Sequence, residues 1–158
     1  MTIEPALQLE VERLYTRYGA AIDELRLEEW CELFCEDCFY TIVPRDNFDR
    51  GLPLAIMRCE SRAMLADRVR AIRETMMYEP RYVRHQITNV WISSTVPTIE
   101  ARASYSVFEV LPDELPRILS VGRSLDRIER EADGALRFRE KRVVYDSVLV
   151  PNSIIYPL

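Results

Sequence analysis

Apolar positions recur along this chain with two different periods, and the change from one to the other divides it. Between Pro5 and Glu24, residues Leu7, Val11, Leu14, Tyr15 and Tyr18 return every three or four positions, which predicts a helix with one buried stripe. Pro5 suits an early helical position, and Gly19 and Ala20 permit close packing late in the helix. A second, short helix is predicted over Leu27 to Phe34, with Leu27, Trp30 and Phe34 turned inward. Phe39 to Pro44 reads as a first strand, Arg45 to Leu52 as a loop rich in Asp, Asn and Gly, and Leu54 to Cys59 as a short strand. Ser61 is placed to cap a third helix over Arg62 to Thr75, with Met64, Leu65, Val69 and Ile72 on its buried side.

After Glu79-Pro80 the period drops to two. Arg81 to Ser94, Thr98 to Leu111 and Arg117 to Glu131 read as long strands, and Ile99, Ala101, Ala103, Tyr105 and Val107 share one face of the second. Asp133-Gly134 is a hairpin signal leading into a last strand, Ala135 to Val150. Helices first and antiparallel strands afterwards predict a single α+β domain over residues 1–158, with helices packed on one face of a curved sheet. Pro151 stops ladder pairing, and Ser153-Ile154-Ile155-Tyr156-Pro157-Leu158 follows as an apolar tail. Such a tail needs cover, either from its own sheet or from a partner.

Composition narrows the function. A net charge of −5 argues against a nucleic-acid surface, and no apolar run nears the length of a membrane span. The acidic start MTIEPALQLEVE lacks a signal-peptide layout, so a cytoplasmic chain with reduced cysteines is expected. Lys141 is the one lysine among 21 basic residues, and arginine is the cation favoured at interfaces. The run Arg137, Arg139, Glu140, Lys141, Arg142 reads as a solvated strand face or an arginine-rich interface.

Few constellations carry chemistry. Cys31, Cys35 and Cys38 have only Cys59 and His85 to complete a zinc site, and read as small buried hydrophobes. Glu36 and Asp37, between Cys35 and Cys38, would raise thiol pKa values and so disfavour a redox pair. His85 is the best single acid–base candidate, with Asp37, Tyr40 and Tyr105 as possible companions; a histidine bonded within the sheet or at a subunit contact is the plainer reading. Glycine-rich phosphate loops and a G-x-S-x-G elbow are absent from the sequence. One histidine supplies neither an iron facial triad nor a Rieske cluster.

An ordered set of short segments carries a resemblance. It comprises Tyr18 to Asp23, Glu29-Trp30, Leu33-Phe34 and Asp37-Cys38-x-Tyr40. Asp46-Asn47-x-Asp49-x-Gly51-Leu52 and Asp67-Arg68-Val69 follow, then Arg84-His85-x-Ile87-Thr88-Asn89, Gly122-Arg123-x-x-Asp126 and Lys141-x-x-Val144-x-Asp146-Ser147. Together they resemble the small (β) subunits of Rieske non-haem-iron aromatic-ring-hydroxylating oxygenases over nearly the whole chain. Ser124 departs from the pattern, standing where many relatives have an aromatic residue.

The resemblance implies a cone-like fold of the nuclear transport factor 2-like, cystatin-like type. It also implies a trimer of this chain within an α3β3 hexamer, whose large α subunit holds the Rieske [2Fe-2S] cluster and the mononuclear Fe(II). This chain would then be a non-catalytic structural subunit of an oxidoreductase, without cofactor or metal of its own. The Asp46-to-Leu52 segment and the tail look closest to salicylate-, terephthalate- and anthranilate-type members, which implies an aromatic carboxylate substrate. Interface candidates are Arg84, His85, Arg123, Arg139, Arg142, Asn152, Ile154, Ile155, Tyr156 and Leu158. Two rivals stand beside this reading: a stand-alone isomerase or dehydratase using His85, Asp37 and Tyr40, and a homo-oligomer that binds small ligands in a cavity.

Overall fold

The computed structural model describes residues 3–158. Its elements in chain order are α1 (Pro5–Asp23), α2 (Leu27–Glu32), β1 (Phe34–Pro44), α3 (Arg45–Asp49), β2 (Met57–Cys59), α4 (Arg62–Glu74), β3 (Tyr82–Ser94), β4 (Ile99–Val110), β5 (Arg117–Arg130) and β6 (Leu136–Tyr145). One sheet runs β2-β1-β6-β5-β4-β3. The helical stripe of α1 is buried as its spacing requires, with Val11, Leu14, Tyr15 and Tyr18 in the core. The inward face of β4 carries Ile99, Ala101, Ala103, Tyr105 and Val107, all buried. Ser61 caps α4 by accepting the Met64 N–H at 3.2 Å.

Four expectations need correction. The sheet is mixed: β1 pairs with β6 in parallel, because the chain crosses the whole sheet between them. The loop expected after Pro44 opens with the short helix α3, and the turn falls on Arg50-Gly51, where Gly51 adopts φ 65°. Met64 lies on the exposed side of α4. The last strand stops at Tyr145 rather than Val150. Asp146 donates its N–H to the Val121 carbonyl at 2.9 Å, and beyond it Val148 and Leu149 are 77% and 80% exposed. Their β-propensity has no neighbouring strand to act on.

Register shifts punctuate the ladders between β3 and β4, β4 and β5, β5 and β6, and β1 and β6. Bulges of this kind bend strands, and the bent sheet wraps α1. Tyr18 is the hub of the interior: its ring meets Phe138 edge-on at 5.7 Å and also touches Trp30 and Phe34.

The apolar tail belongs to this core. Ile154, Ile155, Tyr156 and Leu158 are buried, while Asn152 is half-buried. The irregular backbone is held by side chains. Arg81 donates to the Ser153 carbonyl at 3.2 Å, Arg68 to that of Ile155 at 3.4 Å, and Tyr18 to the main-chain oxygen of Leu158 at 2.5 Å. Arg81 is itself buried against Glu109 at 2.8 Å, and Arg117 reaches the other Glu109 oxygen at 3.1 Å.

Candidate functional site

The inside of the cone is built by α1 and by β1, β3, β4, β5 and β6, whose strands turn alternate residues inward. Strand parity puts Lys141 in line with Val143 and Tyr145, and Asp126 in line with Ile128, so both charges are carried into the core. The Lys141 ammonium stands 3.1 Å from Asp126 Oδ2 and 3.3 Å from Ser124 Oγ. The rings of Tyr15, Tyr18 and Phe138 surround it at 4.7, 4.5 and 4.5 Å from their centroids. Asp126 Oδ2 also accepts from Ser124 Oγ at 2.7 Å and from the Tyr15 hydroxyl. Burial pushes the Lys141 pKa below its ordinary value, and the Asp126 carboxylate opposes that shift. Burial, and then the same carboxylate, hold the Tyr15 hydroxyl well above the usual range. Lys141 is therefore not part of a solvated charged face. Ser124, where many relatives were expected to carry an aromatic, donates to this buried carboxylate.

His85 finds a different partner from those expected. Its Nδ1 lies 2.6 Å from Asp23 Oδ1, and its backbone N–H meets both Asp23 oxygens at 3.0–3.1 Å. Asp37 is elsewhere, 73% exposed and paired with Arg139. Tyr40 is buried and bonded to Tyr18 and Leu158, and Tyr105 shares a hydrogen bond of 3.0 Å with Ser120. The set His85, Asp37 and Tyr40 is thus not brought together. A signal for Asp23 was present in the sequence: a carboxylate in the last turn of a helix faces the negative end of the dipole and needs a local reason.

The interior leaves little space. Tyr18, His85, Tyr105, Ser124, Lys141 and Leu158 are among the residues around a void of about 10 Å³. Among the described residues, His85 Nε2 and Asp126 Oδ1 are buried without a partner. Larger hollows are surface grooves, one of about 710 Å³ between α1 and β3 and one of about 510 Å³ over the outer sheet face.

That outer face is the second notable feature. Phe108 pairs with Ile118, Ser106 with Val121, and Arg102 with Leu125 across β4 and β5. Ile118 and Trp91 are 55% and 59% exposed, and Tyr82 and Val121 are exposed beside them. Arg102 stacks over Trp91 at 6.0 Å and Arg123 over Phe48 at 5.9 Å. Of the interface candidates, Arg84, Arg123, Arg139 and Arg142 reach the surface. The His85 side chain is 1% exposed, and Ile154, Ile155, Tyr156 and Leu158 are turned into their own core.

The residues do not fit an iron centre. One histidine cannot complete a Rieske cluster or a facial triad. Among the described residues, one group of metal-capable side chains converges, Cys35 with Glu129 and Glu131. Burial, and then the Glu131 carboxylate, push the Cys35 thiol up to about 12, the opposite of a ligating thiolate. No helix is long and apolar enough to cross a membrane among the described residues.

An α+β cone closed by its own tail, with an open apolar sheet face, is a fold of the nuclear transport factor 2-like class. The chain belongs to the ring hydroxylating beta subunit family, which it matches over residues 18–152. It is 35% identical to the anthranilate 1,2-dioxygenase small subunit of Burkholderia cepacia over 150 residues, covering 94% of this chain and 92% of that one. It is 30% identical to subunit beta 2 of the terminal oxygenase component of terephthalate 1,2-dioxygenase from Comamonas sp, covering 96% and 98%. A crystal structure from Novosphingobium aromaticivorans, assigned as the beta subunit of an aromatic-ring-hydroxylating dioxygenase, superposes with a TM-score of 0.86 at 34% identity, covering 96% and 95%. The chain is thus the small subunit of a multicomponent aromatic-ring oxygenase, an oxidoreductase with an alpha-subunit partner.

Proposed function

We propose that this chain is a structural subunit: three copies and three large subunits form an α3β3 hexamer, and the outer sheet face supports the assembly. The observation that carries this reading is the contrast between the two faces of the sheet. The inner face is closed around a void of about 10 Å³, while the outer face leaves Trp91, Ile118, Val121 and Tyr82 in solvent beside Arg84, Arg123 and Arg142. Aromatic residues and arginine beside aliphatic surface are the composition of interface cores. In this reading the Rieske [2Fe-2S] cluster and the Fe(II) belong to the large subunit, and catalysis takes place there. Kinship with anthranilate and terephthalate dioxygenase subunits supports an aromatic carboxylate as the substrate of the assembled enzyme.

Co-expression with the large subunit, followed by size exclusion with light scattering, tests the assembly. The expected result is a brown peak with the mass of three copies of each chain, and the double variant Ile118→Glu, Val121→Glu should release a folded small subunit from it. A colourless small subunit that ignores the large chain would refute the proposal. Turnover by the hexamer of aromatic carboxylates, but not of the same rings without the carboxyl group, tests the substrate class.

A further inference from the structure

Two buried phenols converge on one oxygen. Tyr18 from α1 and Tyr40 from β1 stand 3.2 Å apart, and both reach the main-chain oxygen of Leu158, at 2.5 and 3.2 Å. The Leu158 N–H in turn meets the Tyr40 oxygen at 3.2 Å. The Leu158 side chain lies against the space bounded by Ile87, Tyr105 and Val143. Two polar groups beside it are left unused by the tail. His85 Nε2 has no partner among the described residues although its side chain is 1% exposed, and Lys141 borders the same void. Buried nitrogens are seldom left idle, and the remaining void of about 10 Å³ has room for about one water. Donors for an acceptor oxygen, an apolar slot and an unsatisfied histidine form a recognition site, and the chain's own tail sits in it.

The tail is also placed so that it can leave. It follows an exposed stretch carrying Val148 and Leu149, and it pairs with none of the described strands. The hydrogen bonds that hold its backbone come mainly from side chains: Arg68, Arg81, Tyr18 and Tyr40. Segments fastened in this way open at lower free energy than sheet strands. We propose that the cone interior is a binding site for a small molecule bearing a carbonyl or carboxylate oxygen on a short apolar body, and that the segment Ile154 to Leu158 is its built-in competitor. The inference concerns the inside of the cone and leaves the outer sheet face, and the assembly built on it, unchanged.

The probe is 4-methylpentanoate, which reproduces the leucine side chain with one acceptor group. Its amide carries the carbonyl without charge, and 4-methylpentylamine carries no acceptor. In the full chain, hydrogen exchange of the Leu158 amide and its neighbours should rise several-fold at about 10 mM acid or amide, and stay unchanged with the amine. In a variant ending at Tyr156 the acid should bind at least about tenfold more tightly than in the full chain, shifting the His85 and Tyr105 ring signals in NMR spectra. Adding Tyr40→Phe to that variant should weaken binding about tenfold. A preference for acid over amide would assign the ligand as a carboxylate that engages Lys141, and equal binding would assign it as a carbonyl. Unchanged exchange in the full chain with every probe, or an amine as effective as the acid, would overturn the proposal, and the full-chain measurement decides should the shortened variant not fold.

Discussion

The pair Lys141–Asp126 makes the sharpest test of how this interior is held together. The Asp126 side chain is fully buried, Lys141 nearly so, and they lie 3.1 Å apart. Removing one member of such a pair leaves the other charge without its counter-ion and costs about 3–5 kcal/mol. In Lys141→Met the orphaned carboxylate keeps the hydroxyls of Tyr15 and Ser124, which places the loss near the lower bound, about 3 kcal/mol. Against a total stability of about 5–15 kcal/mol this is a large fraction, and it should lower the urea midpoint by about 1–2 M. Asp126→Leu should cost at least as much, because the ammonium then has Ser124 and three ring faces but no anion. The double variant should be no worse than the weaker single one, giving a coupling of about 3 kcal/mol. Fluorescence of the buried Trp30 follows the transition.

The same comparison has a pH signature. Burial lowers the Lys141 pKa in the folded state below the value of 10.5 that it has when solvated. Between the lowered value and 10.5 the unfolded chain holds a proton that the folded chain has shed, so native stability rises with pH across that window. Below the window the cost of burying the charge is present in full. The Met variant lacks this slope, so its deficit against the parent should widen as pH climbs towards 10.5. A Lys141→Met chain within about 0.5 kcal/mol of the parent, with no coupling to Asp126, would refute the reasoning and return Lys141 to a solvated strand face.

Gly122→Ala would put a Cβ 2.0 Å from the Val144 carbonyl and 2.9 Å from the Tyr145 Cα, both backbone atoms of the next strand. A loss of about 3 kcal/mol is expected, read as a fall in Tm of about 6–12 °C; an unchanged Tm would mean that β5 and β6 can separate there freely. Burial pushes the thiols of Cys31 and Cys35 up to about 12 and that of Cys38 up to about 11, from 9.0. The native chain should therefore react slowly with Ellman's reagent at about pH 8 and fast in urea. Because these folded values are raised, the stability they contribute is present below 9.0 and is lost as pH rises from there towards about 12. Replacing the three cysteines by alanine should flatten that fall in the urea midpoint, and an equally steep fall would assign it to other groups.

The periods of three-to-four and of two, with their punctuation, were enough for the α+β class, the helical stripes, the inward face of β4 and the hairpin at Gly134, because each depends on neighbours within a few residues. The family was legible too, since ordered short segments survive across relatives. Parity along β5 and β6 would have shown that Asp126 and Lys141 share faces with Ile128 and Val143, but a run of five charged or basic positions hid it. Three matters belonged to tertiary structure alone. The parallel pairing of β1 with β6 joins segments about a hundred residues apart, beyond any local signal. The partner of His85 is Asp23 rather than Asp37, because curvature brings the end of α1 against β3. The tail closes its own cone, since Tyr18 and Tyr40 converge on Leu158 only once helix and strand have met. An apolar segment announces in the sequence that it will be covered, whereas what covers it is decided by the shape of the space left open.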